Sequence, residues 1–142
     1  MNIDECIKEG FLKKVKPDKD EIKKELKESD SDILDAKDSF ENNRFKWCII
    51  QIYYSMFHSA KAVLISQGYK ERRHFAVEVV LRELVKNKKL ESYFLNDFKS
   101  AMFAREEADY SSVYSKERAD QLLRIAEEFN EKMKNMVKIF DK

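Results

Sequence analysis

Residues 42–68 read NNRFKWCIIQIYYSMFHSAKAVLISQG, and this stretch decides the fold. Apolar side chains recur through it at helical spacing, and as one helix it would run about 39 Å. Gly68 supplies a left-handed stop. On a helical wheel Phe45, Ile49, Ile52, Met56, Ala60 and Val63 form one face, and Ile50, Tyr53, Tyr54, Phe57, Trp47 and Ile65 form a second. Arg44, Gln51 and Ser55 leave only a narrow polar strip. A helix that is apolar over most of its circumference has to be buried over most of it. A small domain has little chain with which to surround such a helix. Part of the second face is therefore expected to meet another subunit, with Trp47, Ile50, Tyr54 and Phe57 as interface candidates.

The flanking sequence is patterned in the same way. Only two glycines and one proline occur in 142 residues, too few for the turns of a hairpin-rich protein, so a sheet is not expected. Residues 17–40 place Ile22, Leu26, Ser29, Ile33, Ala36 and Phe40 on one stripe, with Pro17 in the first turn. Residues 74–89 place Val77, Val80, Leu81 and Leu84 together, and residues 90–108 place Leu90, Phe94, Phe98, Ala101, Met102 and then Arg105 on one line. Residues 115–140 repeat the pattern with Ala119, Leu122, Ala126, Phe129, Met133, Met136, Val137 and Phe140. Ile3, Ile7 and Phe11 suggest a short helical arm over 1–16. The expectation is an all-α, up-and-down bundle of four to five helices filling one domain, 1–142, with its core at about 19–139.

Composition narrows the function. Apolar residues make up 43% of the chain and charged residues 39%, so a core is available beneath a densely charged surface. Lys plus Arg number 28 against 27 Asp plus Glu, and no global field would recruit a polyanion. The two cysteines, Cys6 and Cys48, lie in no metal-ligand spacing, and neither a metal nor a cofactor is expected. The acidic N-terminus lacks the pattern of a secretory signal and no window approaches 18 uninterrupted apolar residues, so a soluble cytoplasmic protein without membrane contact is expected. Glycine-rich phosphate loops, H-E-x-x-H and G-x-S-x-G are absent.

Three polar groups fall near helix ends. Arg105 with Asp109 and Tyr110 closes one stripe. Residues 69–74, YKERRH, bring Lys70, Arg72, Arg73 and His74 to a helix start that favours anions. Tyr53, Tyr54, Phe57 and His58 lie together on the long helix. Arginine reads phosphate with two prongs and tyrosine stacks on bases, which suits a nucleotide or single-stranded RNA. Each group also has an ordinary structural reading: Arg105 paired with Asp109 or a buried acid, YKERRH as a solvated helix start, the tyrosines as packing.

The order of these pieces resembles the HEPN family. Its members read Y-Y-x-M-F-H-x-A-x-x-x-L up to a G-Y turn, then a basic residue close before a His, and later R-x-x-x-D-Y. Tyr53, Tyr54, Met56, Phe57, His58, Ala60, Leu64, Gly68, Tyr69, His74, Arg105, Asp109 and Tyr110 match in turn. The resemblance implies a helical homodimer, often encoded beside a minimal nucleotidyltransferase in a toxin–antitoxin pair. Many relatives are metal-independent ribonucleases that use an Arg followed four to six residues later by His. Here the positions that end that spacing carry Tyr110, Ser111 and Ser112 instead. The expectation is a catalytically degenerate nucleotide- or RNA-binding module built on Arg105, Asp109, Tyr110, His74, Arg73, Tyr54 and His58. The alternatives are a metal-independent ribonuclease toxin in which Arg105 works with a distant His, and a pure helical scaffold.

Overall fold

The structure, a computed structural model, describes residues 1–140; residues 141 and 142 of the expected domain lie outside the described residues. The elements in chain order are α1 (Ile3–Lys8), β1 (Leu12–Lys14), α2 (Lys19–Glu41), α3 (Phe45–Ser66), β2 (Tyr69–Glu71), α4 (Phe75–Lys86), α5 (Ser92–Tyr110) and α6 (Lys116–Phe140). All five long segments form as helices, and the arm contributes α1. Pro17 stands just before the cap rather than in the first turn, because Asp18 caps α2 by accepting from the amides of Asp20 and Glu21 at 2.9 and 3.3 Å.

Helices α2, α4 and α5 end without glycine. Asn43, Lys88 and Ser112 take the left-handed conformation just past those ends, with φ of 59°, 61° and 55°. After α2, the Arg44 amide reaches back to the Ser39 carbonyl at 2.8 Å, and after α4 the Lys89 amide reaches Leu84 at 2.9 Å. Gly68 has φ of +87° and closes α3 as expected.

α3 packs against α2, α6 and α5 and forms the centre of the molecule. It is long and apolar enough to cross a membrane, yet most of it is covered by the rest of the fold. Phe98 of α5 stacks on Phe129 of α6 at 5.8 Å, and Tyr53 of α3 lies 6.0 Å from Phe98.

One expectation, the absence of a sheet, needs correction, and one member of the polar strip of α3 lies in the core. Ser55 is fully buried, its hydroxyl donating to the Ser29 carbonyl at 2.8 Å and accepting from the Asn130 amide at 2.9 Å. The Ser29 hydroxyl returns to the Ser55 carbonyl at 2.7 Å, and Ser59 donates to Asn130 at 2.7 Å. Small hydroxyls let α2, α3 and α6 approach closely, and because each finds a partner the burial is tolerated. A sheet is also present. β1 and β2 pair antiparallel in the register Leu12↔Glu71, Lys13↔Lys70 and Lys14↔Tyr69. Turn residues report hairpins between neighbouring segments, and this pair joins strands separated by two helices, so no local signal announces it.

Candidate functional site

The end of α5 lies against the middle of α3. Arg105 continues the apolar stripe to this point, and its guanidinium sits 5.7 Å from the ring centres of both Tyr53 and Tyr54 and 5.6 Å from Tyr110. Such spacing is that of cation–π contact. Its Nη2 donates to the Tyr54 hydroxyl at 3.2 Å and approaches Asp109 at 3.6 Å. Nε is buried and makes no hydrogen bond among the described residues. Burial works against the charge, but the Tyr54 and Tyr110 hydroxyls and Asp109 outweigh it and raise the guanidinium pKa. The side chain is 19% exposed and Asp109 is 35% exposed, so Arg105 is not sealed in the buried ion pair that a pure scaffold would need. The cation is held by ring faces and only loosely neutralised.

His74, at the start of α4, joins this group through Tyr53. Its Nδ1 lies 3.3 Å from the Tyr53 hydroxyl, and its ring lies 4.3 Å from that of Phe57. Burial, then the positive charges of Arg105 and Lys61, lower the His74 pKa. The Tyr53 phenol is pushed up to about 12 by burial and stays protonated near neutrality. A neutral imidazole beside a protonated phenol has two tautomers. If the phenol donates to Nδ1, His74 presents an Nε2–H donor outward; if Nδ1–H donates to the phenol, Nε2 presents a lone pair.

The structure therefore brings Arg105, Asp109, Tyr110, Tyr54 and His74 together around Tyr53. Arg73 is exposed in the turn just before His74. His58 is not part of this group. It binds Glu25 at 2.5 Å and lies 3.7 Å from Asp32, both on α2, so its polar contacts point away from the Arg105 group. Lys61, one turn along α3, sits 3.4 Å from both Glu25 and Glu71 and thereby ties α2, α3 and β2 together. The hydrogen bond with Glu25 raises the His58 pKa against the effect of burial. Burial of Glu25 is outweighed by His58 and Lys61, and its pKa is lowered. Spacing alone offered no signal for this cluster, because its partners come from three separate elements.

The interface candidates divide as well. Phe57 is 6% exposed and packs against His74 of the same chain, which leaves little of its surface for a subunit contact. Ile50 and Tyr54 are half-buried. Trp47 is 54% exposed and lines a groove with Arg44, Lys46 and Tyr114. The chain covers its own central helix better than the wheel suggested, since α4, α5 and the β2 turn together reach the second face.

This arrangement belongs to a known class of helical protein. The HEPN domain model matches residues 11–136, and the chain belongs to the HEPN domain family. It is similar to a UPF0332 protein of Archaeoglobus fulgidus, 32% identical over 121 residues that span 83% of this chain and 96% of the relative. Two proteins of Methanocaldococcus jannaschii named "Putative toxin" also match. One is 26% identical over 84% of this chain and 91% of its own length, the other 25% identical over 74% of each.

Proposed function

We propose that this HEPN protein binds the phosphate of a nucleotide or of single-stranded RNA at Arg105, and that it does so without cleaving it. One observation carries the reading: a guanidinium held against three tyrosine rings, loosely paired with one carboxylate, and with a donor nitrogen left unsatisfied. Such a cation is preorganised for an anion, and Tyr54 and Tyr110 supply rings for a base. His74 donates Nε2–H to the same ligand. The protein works as a homodimer beside a minimal nucleotidyltransferase in a toxin–antitoxin pair in the cytoplasm, with the exposed Trp47 groove as a contact surface. Relatives carrying toxin names support this setting. The test is fluorescence anisotropy of a labelled oligouridylate. Arg105→Gln is expected to weaken binding by about 1.5–3 kcal/mol, roughly ten- to a hundredfold. Unchanged affinity in a folded variant would remove the reading.

A second reading, a metal-independent ribonuclease, is favoured by the Tyr53 bridge between Arg105 and His74. It requires the other tautomer, with the Nε2 lone pair taking a ribose hydroxyl proton and Arg105 stabilising the phosphorane. RNA cleavage in the presence of EDTA that disappears in His74→Asn would establish it over the binding reading.

A further inference from the structure

The basic residues of the β2 turn are not used by the site around Arg105. In the sheet, Leu12 and Glu71 oppose each other and both point inward: Leu12 is 2% exposed, and the Glu71 carboxylate is 7% exposed and engaged by Lys61. Strand side chains alternate between faces, so the next pair, Lys13 and Lys70, points outward; Arg72 follows directly after β2, its amide donating to the Phe11 carbonyl at 2.9 Å. All three are exposed, as are Arg73 and His74, which follow directly. Like charges placed directly opposite each other in an antiparallel pair are unfavourable, so the Lys13–Lys70 pairing costs the fold stability. Glu21 offsets part of it by pairing with Lys70 at 3.1 Å. Among the described residues, Lys13, Arg72 and Arg73 have no ion-pair partner.

We propose that this outward face of the sheet, Lys13 and Lys70, together with Arg72 is an interaction surface for the phosphate backbone of single-stranded RNA whose neighbouring nucleotide occupies the Arg105 site. The inference rests on the nucleic-acid reading of that site. Continuity argues for RNA: Lys70, Arg72, Arg73 and His74 lie on one short segment, and at most about 14 Å of chain separates Lys70 from His74. The strand end thus delivers cations straight to the imidazole that touches Tyr53. A lone nucleotide would leave this face empty, whereas a strand would fill it.

The test uses the full chain and a labelled oligouridylate of twelve nucleotides, titrated by anisotropy across a range of salt. Each phosphate contact on a single strand contributes about 0.7 to the slope of log affinity against log salt. The triple variant Lys13→Gln, Lys70→Gln, Arg72→Gln is expected to flatten that slope by about 2 and to weaken binding most at low salt. The charge-conserving triple Lys13→Arg, Lys70→Arg, Arg72→Lys is expected to behave as wild type, and circular dichroism confirms that both fold. The surface is overturned if the glutamine triple keeps the wild-type affinity and slope while Arg105→Gln loses binding, a result that leaves the Arg105 reading intact. The converse, a flattened slope with Arg105→Gln binding normally, removes the Arg105 reading and overturns the joint site, because the nucleotide next to the surface then lies elsewhere. Loss of binding to anionic lipid vesicles but not to RNA also overturns it.

Discussion

His58 and His74 lie against the same phenylalanine, Phe57, at ring distances of 5.9 and 4.3 Å, and they have opposite chemistry. His58 is enclosed by carboxylates from α2, and its pKa is raised mainly by the bond to Glu25. His74 faces a phenol and two cations, and its pKa is lowered. One is a strut within an ion cluster, with its pKa held up by Glu25; the other is a ring at the edge of the proposed anion site, with its pKa pushed down. Residue type alone made them equal candidates, and the charges that other elements bring to each one separate them.

The largest effect should come from breaking the strut. His58→Ala leaves Glu25, whose side chain is 10% exposed, with Lys61 alone. A loss of about 2–3 kcal/mol is expected in urea unfolding, with an unchanged denaturant slope. His74→Ala, removing an exposed ring, should cost well under about 1 kcal/mol. Equal losses would erase the distinction between the two.

A smaller effect lies at the proposed anion site. Asp109→Asn removes the carboxylate that loosely neutralises Arg105, and oligonucleotide binding should tighten by up to about 1 kcal/mol, less at high salt. Weaker binding would mean that Asp109 orients the arginine more than it competes with the ligand.

Next in size are the pH responses. His58, with a folded pKa above its ordinary 6.5, contributes stability that is fully present below 6.5 and lost as pH rises through the folded value. His74, with a folded pKa below 6.5, acts in the opposite direction: its contribution is complete above 6.5 and falls away as pH drops through the folded value. Ring-proton NMR should show His58 titrating above 6.5 and His74 below it. The reverse order, with His74 titrating above His58, would contradict the assignment.

The smallest expected change sharpens the comparison. Lys61 lowers the pKa of both rings, so Lys61→Met should move both titrations upward, while Lys61→Arg leaves them in place. A shift in His58 alone would show that Lys61 does not bear on the Arg105 site.

The helices were legible because each buries a stripe whose period is local, from Ile22 to Phe40 and from Ala119 to Val137. Arg105 was legible for the same reason, as a cation continuing an apolar line. What escaped was non-local. Ser55 reads as part of a polar strip until Ser29 and Asn130 arrive from two other helices, and nothing next to Lys61 in the chain announces that Glu25 and Glu71 meet it. The sheet escaped because three-residue strands carry no period, and its register is fixed by the burial of Leu12 and Glu71 rather than by a turn. Tyr53, the residue that joins His74 to Arg105, was read as one aromatic among several because its role depends on two elements that reach it from elsewhere in the chain.

The most direct measurement of the central claim sets the two regions side by side: anisotropy titrations of one labelled oligouridylate against wild type, Arg105→Gln and His58→Gln, each confirmed folded. Arg105→Gln should lose the binding, and His58→Gln should keep the wild-type affinity despite its lower stability. Retained binding in Arg105→Gln, or equal loss in both variants, would contradict the account.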